Sequence, residues 1–299
     1  MNKNPWDIPA WHALGREASL VTQLIGSGAT AIGKANYADK IGEYYTAFFG
    51  LSVGFERLAK LILVAHYAIE HKGKMPDENI VRKFGHKLIE LTNEVDSISK
   101  KMQLSLRYSR PTHKITYKIL ECLDSFADAR RGRYANFSSL SSPNLTNNEP
   151  INKWWGEVAE SILEKHYYYT VEQRRVEENA RFINATLSPY TTVMYMNEST
   201  NIMQDLISAS IRTGQNTIVQ KWGRFYSLSI ARWLATVLAE LSDIASHKYG
   251  IISFYGLSEH CCSYIVEDSF FKKQKNMATS PIVNEKICIR GRNPPPVIT

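Results

Sequence analysis

Cysteine is scarce in this chain. Four residues among 299, Cys122, Cys261, Cys262 and Cys288, are too few and too unevenly spaced for a disulfide framework. The adjacent pair Cys261 and Cys262 makes no zinc knuckle by itself, so all four are read as buried or incidental reduced thiols. No run of about 18 uninterrupted apolar residues is present, which leaves no expected membrane span. The opening segment, Met1 to Trp6, lacks the apolar core of a signal peptide, and a cytoplasmic protein is expected. His66, His71, His166, His247 and His260 show no metal-ligand spacing, and neither HExxH nor a Gly-x-Ser-x-Gly elbow occurs. Zinc and serine hydrolases are thereby left without support, and neither a metal nor a cofactor is expected. The cluster Gly26, Ser27, Gly28 and Gly33 continues an amphipathic run, with no strand before it and no Gly-Lys-Ser/Thr after it. It is read as close helix packing rather than as a phosphate loop.

What is present is helical periodicity in a composition, 44% hydrophobic and 22% charged, that suits a packed chain. Residues 11–36 read as one helix. Tyr44, Phe48, Leu51, Phe55, Leu58 and Ile62 are spaced by four and three, which places them on one stripe of a helix from about Gly42 to His71. Gly73 and Pro76 end it. Phe84, Leu88, Leu91, Val95, Ile98 and Met102 repeat the spacing in a second long helix, forming an antiparallel hairpin with the first. Pro111 breaks the pattern, which resumes at Ile119 and runs toward Phe137. Turn-forming residues 138–150 then predict a linker between a first lobe, 1–137, and a second helical lobe, 151–285. In that second lobe a long helix is expected from Trp154 to about Leu187. A short β-prone piece follows at Thr191–Met196, then a helix capped by Asn197–Thr200 that ends near Thr213, and a last long helix from Gln215 to His247. The tail, 286–299, is expected to be disordered. The fold class is all-α.

The net charge is +7, and its excess lies in the first half: residues 1–148 hold 20 Lys and Arg against 14 Asp and Glu, and residues 149–299 hold 16 against 15. A basic lobe attracts phosphate backbones. Residues 97–120 contain Lys100, Lys101, Arg107, Arg110, Lys114 and Lys118 and no acid. Arg82 and His86 are four apart; on one helix they would share a face, where the imidazole can move a proton while the guanidinium neutralises a phosphate. Arg107 and His113 form a second such pair around Pro111. Arg130, Arg131 and Arg133 beside Tyr134 make the densest guanidinium cluster, suited to gripping phosphate with a ring nearby to stack on a base. Glu56 and Lys60 read as an ordinary intrahelical ion pair. Trp154, Trp155, Trp222 and Trp233 could instead anchor a protein partner.

Three segments carry a resemblance: Gly54–Leu61, with Glu56 and Lys60; Phe84–Leu91, with His86; and Arg130–Asn136. Over residues 40–137 the chain resembles the HEPN superfamily, the helical domain named for higher eukaryotes and prokaryotes nucleotide-binding proteins. The resemblance implies a helical bundle paired as a dimer. In many members it also implies metal-independent endoribonuclease activity in bacterial toxin or antiphage systems. Active members carry Arg, four to six residues, then His. Arg82 and His86 are separated by three residues, whereas Arg107 and His113 fit the count across a proline. The expected role of His86 is proton transfer, with Arg82, Arg130 and Arg133 on the phosphate. The alternative is a non-catalytic helical module that pairs with itself or with a larger effector.

Overall fold

The computed structural model describes residues 4–127, 150–198 and 202–273, and these are predominantly α-helical. Helix α1, Pro9–Ile32, and helix α2, Gly42–Glu70, lie against each other along much of their length. All six stripe residues of α2, Tyr44 to Ile62, are at most 2% exposed. Each such burial contributes roughly 1.5–3 kcal/mol of transfer free energy, which is why a helix of this length stays in place. Glycine sets how close the two helices come. A Cβ on Gly50 would lie 2.7 Å from the Leu24 carbonyl oxygen and 3.1 Å from the Gly28 Cα, and one on Gly28 would lie 2.8 Å from the Leu51 nitrogen. The glycine cluster is thus a helix-packing device, as its sequence context implied.

After α2 the chain departs from the simple hairpin. A short helix α3, Glu78–Lys83, capped by the Asp77 carboxylate on the Ile80 N–H at 2.9 Å, precedes a turn at Gly85, whose φ of +76° few side chains tolerate. Helix α4, Leu88–Lys101, therefore starts four residues later than the stripe from Phe84 implied. Asp124 explains its start, because one of its carboxylate oxygens accepts the Leu88 N–H at 2.6 Å. Helix α5, Lys114–Ala127, follows the break at Pro111. The expected continuation toward Phe137, the linker up to residue 149 and the tail 286–299 lie outside the described residues.

Pro150 already belongs to helix α6, Pro150–Lys153, which passes through a π-helical turn, Trp154–Ala159, into α7, Glu160–His166. The long helix expected up to Leu187 breaks here: Tyr169 has φ +62°, and Thr170 caps α8, Val171–Leu187. A two-residue ladder follows, β1 Tyr195–Met196 antiparallel to β2 Ile202–Met203, with Tyr195 opposite Met203. The cap of the next helix is Asp205, on the Ser208 N–H at 2.7 Å, rather than the Asn197–Thr200 segment. The two helices expected around residue 214 are one, α9, Leu206–Asp243, 38 residues long. Gly214 does not interrupt it; a Cβ there would come 2.4 Å from Val176 of α8, so that glycine serves contact between neighbouring helices. The chain closes with a π turn Ile244–Lys248, short 3-10 segments and α10, Asp268–Lys273.

A single hydrophobic cluster runs from Leu14 to Phe271, and α9 touches α1, α2, α5, α7 and α8. The two expected lobes thus share one core. Phe48 illustrates the join, with ring centroids 5.5 Å from Phe126 and 5.6 Å from Trp154. Among the described residues no helix is long and apolar enough to cross a membrane. Cys122 and Cys261 are free and buried, whereas Cys262 is disulfide-bonded, so the expectation of reduced thiols holds for the first two and fails for Cys262.

Candidate phosphate-binding cleft

The segment between α4 and α5 has no helix of its own, and Pro111 keeps it open. It lies across α9 and the start of α10, and the three enclose a cleft of about 440 Å³. Arg107, Tyr108, Arg110 and His113 line it from one side, Tyr226, Ser229 and Arg232 from α9, and Asp268 from the end. Arg107 and His113, separated by five residues in an acid-free stretch, therefore converge on one hollow. The stretch is not free of carboxylates in space. Arg107 pairs with Glu267 at 2.8 Å, Arg110 with Asp96 at 3.5 Å, and Arg232 with Asp268 at 2.7 Å. Arg232 also lies 4.3 Å from the Tyr108 ring centroid, and Arg110 lies 5.3 Å from that of Trp233. The Tyr108 hydroxyl donates to Glu267 at 2.8 Å, and with Arg107 it holds that carboxyl below its ordinary range.

His113 is the unusual member. The Ile115 N–H donates to its Nδ1 at 3.1 Å, and Nε2 contacts the Lys165 Nζ. Burial first, and Lys165 second, keep its pKa below the usual imidazole value, so the ring is neutral near pH 7. A neutral imidazole has one lone-pair nitrogen. The backbone N–H at Nδ1 and the Lys165 ammonium at Nε2 therefore compete for that one acceptor. An anionic oxygen in the cleft offers an acceptor to whichever donor is displaced.

Beside the cleft, His166 stacks on Trp222 with centroids 3.7 Å apart and planes at 7°, and its Nε2 meets the Tyr226 hydroxyl at 2.8 Å. Lys221 and Lys272 lie 5.4 and 5.7 Å from the Trp222 ring. Among the described residues no carboxylate ion-pairs with Lys165, Lys221 or Lys272. Burial, followed by Lys165, His113, Lys221 and Lys272, presses the His166 pKa from 6.5 to about 4. Between those pH values the unfolded chain binds more protons than the folded one. Stability present above about pH 6.5 is therefore lost as the pH falls toward 4. The ring is only partly buried, so after screening the loss is on the order of 1 kcal/mol. His166→Gln is expected to flatten the melting temperature over this interval, as measured by circular dichroism; a slope equal to the wild type contradicts the assignment.

The Arg82 and His86 pair does not share a helix face. Arg82 is in the last turn of α3 and pairs with Glu78 at 2.6 Å, while His86 follows Gly85 in the turn before α4. The positive φ of Gly85 ends the helical path between them. His86 instead meets α2. Its Nδ1–H donates to Glu56 Oε1 at 2.9 Å, and the same oxygen accepts from Lys60 at 2.8 Å. Two of the three segments that carried the family resemblance thus touch. The bond to Glu56 fixes the tautomer and leaves the Nε2 lone pair on a side chain that is 77% exposed. Among the described residues no hydrogen bond or ion pair joins His86 to the cleft. Arg130, Arg131, Arg133 and Tyr134 lie outside the described residues.

Trp154, Trp155 and Trp233 are not partner anchors: they are 0%, 4% and 1% exposed, because the π turn and α9 run through the core. Lys165, His166, Tyr226 and Arg232 escaped the sequence reading, since no motif or spacing links residues so distant along the chain. Comparison with family models, with curated proteins and with solved structures finds no match.

Proposed function

We propose that this chain is a HEPN-like, RNA-directed protein of bacterial defence or stress response that grips a phosphodiester backbone in the Arg107–His113 cleft. The observation that carries this reading is the convergence of three guanidiniums, two tyrosines and His113, with Lys165 against its ring, on one hollow. Phosphate is the dianionic or monoanionic group with enough acceptors to satisfy such a set. In this reading the protein is also a metal-independent endoribonuclease that acts as a dimer. His86, oriented by Glu56, takes the proton of a ribose 2′-hydroxyl at Nε2. The 2′ oxygen attacks phosphorus, the bond from phosphorus to the 5′ oxygen breaks, and the departing oxygen takes up a proton from solvent, leaving a 2′,3′-cyclic phosphate. Arg130, Arg131 and Arg133 supply further phosphate contacts with Tyr134, and Arg82 is a positioning charge.

Incubation of the protein with total RNA in EDTA tests the cleavage step. Cleavage by the wild type and a loss of about 100-fold or more in His86→Ala are expected, in line with the contribution of a positioned base. Equal cleavage by both removes His86 from the chemistry. A second reading, a non-catalytic helical module, draws on the apolar surface of α8 and the segment between it and β1, where Phe182, Tyr190 and Met194 are 73%, 85% and 85% exposed. Absence of RNA binding together with self-association that is abolished by Phe182→Glu favours that module.

A further inference from the structure

The first turns of α1 and the chain around Gly256 enclose a second hollow, of about 270 Å³, that shares no residue with the cleft. Trp11, Gly15 and Ser19 line it from one helix face, being four residues apart, and Arg16, Tyr255 and His260 complete its rim. The Trp11 ring is held in place: its Nε1–H donates to the Tyr255 carbonyl at 2.8 Å, and Trp6 packs 5.2 Å from it. His12, beside it, is fixed through Nε2 to the Trp6 carbonyl at 2.9 Å. The aromatic wall is therefore rigid without any ligand, which removes part of the ordering cost of binding.

Gly15 has no backbone reason to be glycine. It is helical, a Cβ there would sit 3.5 Å from His260 Nε2 in ordinary contact, and glycine inside a helix costs about 0.5–1 kcal/mol relative to alanine. What it does is keep the floor of the hollow open. At the rim, the side chains of Arg16 and His260 have no hydrogen bond or ion pair among the described residues, whereas the neighbouring Glu17 is already taken by Arg57 at 2.5 Å. An apolar slot with a fixed indole, a missing side chain and an unpaired guanidinium at its mouth matches one ligand chemistry. We propose that it binds a small flat aromatic anion, with the ring against Trp11 and the anionic group on Arg16.

Calorimetric titration of the full chain with indole-3-carboxylate and, separately, with adenosine 5′-monophosphate tests this, and indole and adenosine serve as the neutral counterparts. One of the two anions is expected to bind at a single saturable site, and the one that binds tells a carboxylate ligand from a phosphate ester. Arg16→Gln should weaken the anion by about tenfold and leave the neutral counterpart unchanged, because only the charge-assisted bond is lost. Gly15→Leu fills the hollow and should abolish binding of both. The titrations are repeated in the His113→Ala background, which weakens the hold of the separate cleft on the adenylate phosphate, so that the hollow is read alone. Arg16 is exposed, so its variant decides the matter even where Gly15→Leu does not fold. Failure of both anions to bind at millimolar concentration, or equal binding by wild type and Arg16→Gln, overturns the proposal.

Discussion

Replacing His113 and Lys165 together with alanine is expected to weaken binding of a single-stranded RNA oligonucleotide by on the order of 100-fold at low salt. Each lost donor to an ionised oxygen removes about 1.5–3 kcal/mol, and every 1.4 kcal/mol is tenfold. The logarithmic dependence of affinity on salt should also become shallower by about 0.7 for the one cation removed, since one fewer counterion is released from the strand. Arg107→Ala should cost less, because that guanidinium, 65% exposed, already has Glu267 as a partner that phosphate must displace. Fluorescence anisotropy at several salt concentrations measures both quantities. Wild-type affinity and slope in the double variant would remove the cleft from RNA binding and leave the helical module as the better reading. Because His86 has no contact with this cleft, the cleavage assay and the binding assay can fail independently.

Gly50→Ala is expected to destabilise the protein by about 1–2 kcal/mol, against the sign that helix propensity alone dictates. In a helix interior, alanine is favoured over glycine by about 0.8–1.0 kcal/mol. At Gly50 the added methyl would meet the Leu24 carbonyl at 2.7 Å and the Gly28 backbone at 3.1 Å, and neither is the end of a flexible side chain. Helices α1 and α2 would have to separate, which loosens the stripe from Tyr44 to Ile62 and leaves voids in a core that tolerates few. Gly156→Ala provides the contrast: nothing lies within 4 Å of a Cβ there, and a gain of about 0.5 kcal/mol is expected. Denaturant unfolding of both variants measures the difference. Stabilisation by Gly50→Ala would mean that the two helices are not held at this distance.

Much of the helical architecture was legible along the chain. The four-and-three spacing of α2 identified its buried face residue by residue, and Pro111 correctly marked the gap before α5. The misreadings share a cause. Phe84 continues the apolar spacing of α4 but lies before a glycine turn whose φ no periodicity encodes. The apolar pattern runs from Trp154 to Leu187 although Tyr169 adopts a left-handed conformation between them, and the two helices expected on either side of Gly214 are one. There the loss in helix propensity is accepted in return for contact with Val176, a residue 38 positions earlier.

The candidate site was legible only in part. Arg107 and His113 were visible as a basic pair, but their partners come from residues 165, 226, 232 and 267, and no local pattern joins those numbers. Arg82 and His86 looked like neighbours and are not, whereas Glu56 and His86, 30 positions apart, are bonded. Local sequence determined which stretches are helical and which stripe of each is apolar, since both depend on a repeat of 3.6 residues within one segment. Tertiary structure alone decided that the open segment after α4 lies across α9, and that the His113 imidazole meets the Lys165 ammonium there. Such meetings depend on how helices cross, and the crossing of α1 and α2 rests on glycines whose contribution is the absence of a side chain.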